Sequence, residues 1–263
     1  MLDCTLAILG RGWRVLATGF CFVLFGLCAL SLGLLVCPLL HLLVRPRARR
    51  VDAVRTAIRL LLRAFVALMR LLGVLRYEIL GQDKLARGGL LILANHPTLI
   101  DTVFLMAFVK RADCIVKSAL WRNPFTKAAV RAAGYVSNEE GAQLVKACLA
   151  SLDAGNNLIV FPEGTRTGAD GVIKLKRGGA NIAVRGVRAV TPVLISCQPL
   201  TLGKGEPWWR VPVCRAHFRI EVKDDIAVLP FTQAAGSHAI AARHLNQYLQ
   251  QYFTEGMPCL NKK

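Results

Sequence analysis

Twenty-one consecutive residues, Ala17 to Cys37, carry no charge, and the apolar character continues to Val44. An α-helix of about 20 apolar residues spans a hydrocarbon layer of roughly 30 Å, so this run is long enough to cross a bilayer. Arg11 and Arg14 precede it, whereas Arg45, Arg47, Arg49 and Arg50 follow it. The heavier positive charge on the C-terminal side places that side in the cytoplasm. A cleaved signal peptide would have a shorter apolar stretch, about 7–15 residues, and a small-residue cleavage site where this chain has arginines. Pro38 lies inside the run and can end or kink a helix, so a re-entrant or deeply interfacial hairpin stands beside a full span. A buried core helix is the blandest reading of the same residues.

A second segment, Asp52 to Val74, reads as an amphipathic helix. Arg55, Arg59, Arg63 and Arg70 fall on one narrow stripe of the helical wheel, and nearly every other side chain is aliphatic or aromatic. Such a helix suits an anionic bilayer surface. The alternative is a helix packed on its own domain with a solvated arginine edge.

The whole chain balances 34 Lys and Arg against 16 Asp and Glu, a net charge of +18. An excess of that size implies an anionic partner, nucleic acid or acidic lipid. The basic residues near the N-terminus flank the apolar run and no nucleic-acid-binding motif appears. Membrane phosphates are therefore the expected partner, and nucleic acid is not. With 54% hydrophobic and 19% charged residues, the chain is too apolar to be disordered and too charged for a polytopic transporter. Nine cysteines show no C-x-x-C pair and no histidine at zinc-ligand spacing, so reduced thiols in a cytosol-facing protein are expected. The organisation this suggests is a membrane-anchoring helical pair over residues 1–75 and one globular domain over 76–263.

After residue 76, short apolar runs alternate with longer helical patterns. Strands are expected at Tyr77–Leu80, Leu90–Ala94, Cys114–Val116, Leu158–Phe161, Val190–Ile195 and Phe218–Val222. Helices are expected near 99–110, 124–133, 139–154, 178–185 and 233–253. Continuous apolar strands such as Leu90-Leu91-Ile92-Leu93-Ala94 imply burial on both faces. Alternating strands and helices then imply an α/β fold with a mixed, mostly parallel sheet flanked by helices. The stretch Gly203–Pro212 is a turn-rich connection whose Trp208 and Trp209 suit a core or a membrane interface.

Three segments carry the chemistry. Asn95-His96-Pro97-Thr98-Leu99-Ile100-Asp101 follows a buried strand and precedes a helix, placing His96 at a strand's carboxyl end, where open α/β sheets bind ligands. An imidazole accepts protons near neutral pH, and Asp101 one turn later can fix its tautomer. The motif supplies no nucleophile of its own, so His96 suits deprotonation of a hydroxyl on a bound substrate. Phe161-Pro162-Glu163-Gly164-Thr165-Arg166 is a second strand-end loop, with a carboxylate for glycerol hydroxyls and a guanidinium for phosphate. Lys174-Leu175-Lys176-Arg177-Gly178-Gly179-Ala180 offers cations and open backbone N–H groups at a helix start.

Together these segments resemble the lysophospholipid acyltransferases of the 1-acylglycerol-3-phosphate acyltransferase type. The likeness rests on His96…Asp101, on Phe161–Arg166, on Thr191-Pro192-Val193, and on Lys117-Ser118 and Pro124-Phe125, spread over roughly residues 77–222. It implies acyl transfer to a lysolipid hydroxyl from a thioester of coenzyme A or acyl carrier protein. His96 would be the general base and Asp101 its partner. Thr98, Lys117, Glu163, Gly164, Thr165, Arg166, Lys176 and Arg177 would form the substrate-binding set. Neither a metal, a resident cofactor nor a covalent acyl-enzyme would be needed. The stretch Gly134-Tyr135-Val136-Ser137-Asn138 departs from the family pattern by lacking a phosphate-binding Arg. That departure admits an acyltransferase of a specialised pathway with another acceptor, and the outlying reading is a lipid-binding protein without catalysis.

Overall fold

The structure, a computed structural model, describes residues 2–116, 121–123, 126–138, 143–168 and 170–256, and side chains from residue 9 onward. Lys117, Ser118, Pro124 and Phe125 therefore lie outside the described residues, as do the expected helix starts at 124 and 139. Among the described residues, seven strands form one sheet in the order β1-β7-β6-β2-β5-β3-β4. They are β1 (Leu75–Leu80), β2 (Leu91–Ala94), β3 (Ala112–Val116), β4 (Val136–Ser137), β5 (Asn157–Val160), β6 (Val190–Gln198) and β7 (Ala216–Val222). All pairs are parallel except β6 with β7. The fold class is as expected, a mixed and mostly parallel α/β sheet. The two-residue β4 was not anticipated, because Val136-Ser137 is too short to show a period.

β2 is buried at every position and divides its side chains between two apolar layers. Ile92 and Ala94 join Phe104, Ile195 and Phe218 on one face. Leu91 and Leu93 join Cys148, Leu152, Leu158, Ile182 and Leu245 on the other. The strand is apolar throughout because helices cover both sides. The second face carries the helices Leu144–Asp153, Gly178–Gly186 and His238–Gly256. Gly179 lets the middle one approach the sheet: a Cβ there would sit 2.9 Å from Leu93 Cδ2.

The first face carries α1 (Leu2–Ser31), α3 (Arg47–Leu71) and α4 (Asp101–Phe108). A π-helical turn at Leu32–Val36 links α1 to α2 (Cys37–Leu43), so Pro38 falls in the first turn of α2, where its missing N–H costs least. Ala17, Thr18, Cys21, Ala29, Leu32 and Cys37 form a buried stripe along this helical run. Phe25 packs on Phe65 of α3 with ring centroids 5.0 Å apart, and Gly19 and Phe22 receive Trp208. Gly33 meets Ala128, close enough that a Cβ would lie 3.2 Å away. The opposite face, including Leu16, Phe20, Val23, Leu27, Leu34, Leu35, Leu39 and Leu42, is exposed. One apolar core thus runs from Ala17 and Cys21 through Phe65 and Met69 into Phe104 and Ile195, across the sequence boundary at residue 75.

The arginine stripe of α3 departs from the surface role expected of it. Arg63 and Arg70 are exposed, but Arg55 is only 7% exposed. Its Nη2 donates to Asp113 Oδ2 at 3.0 Å, its Nε donates to the Ala133 carbonyl at 2.9 Å, and its guanidinium stands 5.6 Å from the Tyr135 ring centroid. Asp113 also accepts the Ser151 hydroxyl and the Cys114 N–H. Wheel spacing could not distinguish this arginine from its neighbours, because the partner comes from a strand 58 residues away. Removing one partner of a buried pair leaves an uncompensated charge. Asp113→Ala is therefore expected to lower stability by about 3–5 kcal/mol in equilibrium denaturation, whereas Arg55→Met with Asp113→Leu recovers most of it. A loss below about 1 kcal/mol would mean that the freed guanidinium reaches water.

Candidate active site

β2, β5 and β6 run parallel side by side, so their carboxyl ends open on the same edge of the sheet. The chain leaves β2 into Asn95-His96, β5 into Phe161-Pro162-Glu163, and β6 into the long crossover to β7. β2 is the strand on whose two sides the sheet order diverges, the position at which open α/β sheets form a crevice. Asn95 fastens two of these ends: its Nδ2 donates to the Ile195 carbonyl at 2.8 Å, and its Oδ1 accepts the Ile195 N–H at 2.7 Å. Sequence reasoning passed over Asn95, although a buried amide just past a strand end is a signal that the ladder is being continued by a side chain.

His96 stands where its motif suggested. Its Nδ1 lies 2.9 Å from Asp101 Oδ2, its side chain is 16% exposed, and its ring stacks on Phe161 with centroids 4.3 Å apart and planes 27° from parallel. When Nδ1–H donates to Asp101, Nε2 keeps its lone pair for a proton from outside. Asp101 is fully buried at the start of α4. It accepts the Thr98 N–H at 2.6 Å and the Thr98 hydroxyl at 2.5 Å besides the imidazole. Burial pushes its carboxyl upward, and the bonds from His96 and Thr98 pull it back.

Several residues expected to meet substrate are engaged inside the protein. Thr98 is completely buried, because its N–H and hydroxyl both serve Asp101. Glu163 is 5% exposed, and its Oε1 accepts the His96 N–H at 2.8 Å and the Thr167 hydroxyl at 3.0 Å. Arg166 Nη1 donates to the carbonyls of Leu202 and Gly203 at 3.1 and 2.8 Å. The Leu202 carbonyl also accepts the Leu99 N–H at 3.0 Å, so the crossover after β6 closes over the His96 loop. Gly164 and Thr165, by contrast, are exposed. Gly164 has φ of +68°, and the Lys176 side chain crosses it, with Nζ 3.0 Å from where a Cβ would stand. Lys176 and Arg177 are exposed, and among the described residues neither meets a carboxylate within 4 Å. Cys197, on β6, is a poor nucleophile, since burial pushes its thiol up to about 12.

Comparison with known proteins defines the class. Residues 76–196 match the Acyltransferase family. A 1-acyl-sn-glycerol-3-phosphate acyltransferase of Pseudomonas aeruginosa is 27% identical over 196 residues, which cover 72% of each chain. One of Helicobacter pylori is 32% identical over 115 residues, 41% of this chain and 48% of the relative. The crystal structure of the 1-acyl-sn-glycerophosphate acyltransferase PlsC from Thermotoga maritima shares the fold with a TM-score of 0.72 at 19% identity, covering 95% of this chain and 98% of that one. Residues 76–196 thus carry an Acyltransferase match, and the chain is similar to 1-acyl-sn-glycerol-3-phosphate acyltransferases, which makes it an O-acyltransferase.

Burial also raises the Glu163 carboxyl above its ordinary 4.5, against the pull of the His96 N–H and Thr167 hydroxyl. The folded protein then holds this proton more tightly than the unfolded chain. The stabilisation is fully present below the unfolded-state pKa and is lost as pH rises through the higher folded value. Glu163→Gln removes that loss. Its melting temperature relative to the unsubstituted chain is expected to increase as pH goes from about 4 to neutrality, and parallel profiles would contradict the upward shift.

Proposed function

We propose that this acyltransferase moves a fatty acyl group from an acyl thioester, carried by coenzyme A or acyl carrier protein, to a hydroxyl of a lysophospholipid such as 1-acylglycerol-3-phosphate. The observation that carries the reading is the His96–Asp101 pair, bonded at 2.9 Å at the meeting point of three strand ends. His96 Nε2 takes the acceptor's hydroxyl proton as its oxygen attacks the thioester carbonyl. The tetrahedral adduct then expels the thiolate, so that a C–O bond forms, a C–S bond breaks, and the imidazolium returns the proton to sulfur. Asp101 holds the ring and offsets its transient charge. Exposed Lys176 and Arg177 beside the Gly164-Thr165 loop supply the charge for the acceptor's phosphate. A resident cofactor or metal has no step in this scheme.

The same reading covers the membrane. The helical run Leu9–Leu43 is long and apolar enough to cross a bilayer. The domain nevertheless touches it from Arg11, which donates to the Val211 carbonyl, to Gly33 on Ala128. That is about 33 Å of helix at 1.5 Å per residue. A perpendicular span would draw polar parts of the domain into hydrocarbon, which favours burying the outer leucine face in one leaflet. Arg45, Arg47 and Arg49, all exposed, suit the anionic cytoplasmic leaflet.

The chemistry is tested by incubating the purified enzyme with acyl-coenzyme A or acyl carrier protein thioester and a panel of lysolipids. His96→Ala and Asp101→Asn are expected to lose at least about 10²-fold in diacyl product, read by mass spectrometry, while still binding vesicles. Full turnover in His96→Ala overturns the mechanism, and product only from another lysolipid moves the acceptor away from lysophosphatidate. Attachment is tested with Gly12→Cys and Ala48→Cys in a cysteine-depleted background. A membrane-impermeant maleimide is expected to label both from the outside of sealed vesicles, and protection of one alone would establish a full span.

A further inference from the structure

The Phe161–Thr167 loop grips the His96 peptide from both ends. Glu163 Oε1 takes its N–H at 2.8 Å, and the Thr167 N–H reaches its carbonyl at 2.7 Å. The Phe161 ring lies against the imidazole between them. A carboxylate accepting a backbone N–H makes a short, strong hydrogen bond, and the two bonds leave the His96 backbone little rotational freedom. The direction in which Nε2 points therefore depends on Glu163. At 5% exposure, and with Oε1 bonded to two donors, one in the His96 loop and one in its own, Glu163 is committed to holding the His96 loop. Its exposed neighbours Gly164 and Thr165 form the surface of the Phe161–Thr167 loop.

The geometry points to Glu163 as a positioning residue for His96, acting through the His96 backbone N–H and not through contact with the acceptor lipid. This rests on His96 being the base. It divides the loop in two: Phe161, Glu163 and Thr167 hold the base, while Gly164 and Thr165, under Lys176, face the ligand. A base misplaced by about 1 Å loses on the order of 10²-fold in rate, and that loss falls on the chemical step and not on binding.

The test compares Glu163→Ala, Glu163→Asp and Glu163→Gln in steady-state acyl transfer to lysophosphatidate, with folding checked by circular dichroism. Alanine removes the acceptor of the N–H, and aspartate falls one methylene short of it. Both are expected to lower kcat about 10²-fold with KM held within about threefold. Glutamine presents an amide oxygen to the same N–H and is expected to keep kcat within about tenfold of the original. A rise in KM at constant kcat, or glutamine as damaging as alanine, would overturn the role. If alanine does not fold, the contrast between aspartate and glutamine decides. Full turnover in His96→Ala overturns the positioning role together with the reading it rests on. An inactive His96→Ala beside a Glu163→Ala affected only in KM overturns the positioning role alone.

Discussion

A carboxylate without water must find donors, and the site is arranged around the donors that Asp101 finds. Its two oxygens take the Thr98 N–H, the Thr98 hydroxyl and His96 Nδ1. A buried acid lacking those bonds would lie uncharged or destabilise the fold by several kcal/mol. Meeting that demand draws residues 96–101 into one compact turn, with the histidine on its rim and the threonine inside. The crossover after β6 then closes the turn from above through the Leu202 carbonyl, and the loop after β5 closes it from the side.

Most strands were legible because buried parallel strands read as apolar runs, as β2 and the Leu158–Val160 part of β5 do plainly, with β6 interrupted by Thr191. Parallel neighbours also place their following loops at one edge, so the meeting of His96 with Glu163 could be inferred from two motifs 67 residues apart. The direction in which each side chain points could not. Thr98, Glu163 and Arg166 have the chemistry of ligand-binding groups, but their nearest partners are an aspartate, a histidine N–H and two backbone carbonyls. Composition and spacing record which groups are near and not which of them is satisfied first. Arg55 illustrates the same limit: its four-residue spacing matches that of Arg59, yet only Arg55 has Asp113 beneath it. Asn95 went unread because its task, continuing a ladder by side chain, leaves no periodic trace.

The N-terminal helices show how far a segment can be both accessory and integral. Thr18 and Cys21 of α1 are as buried as residues of the sheet. Thr18 shares a small cavity with Met69, Ile100, Leu202 and Val211, and Ile100 belongs to the turn between His96 and Asp101. The crossover from β6 to β7 touches α1 through Val211, Pro212 and Val213, which accept from Arg11 and Arg14, and touches the site through Leu202.

The continuity of this core has a consequence for dissecting the protein. Cutting before α3 to obtain a shorter fragment would strip the cover from Phe65 and Trp208. It would also leave the crossover without its arginine moorings. The fragment would present a greasy wound beside its own cleft, inviting clumping or uptake of stray hydrophobic molecules. The N-terminal helices and the sheet share one core, so the apolar helix comes with the fold and is not a detachable tether.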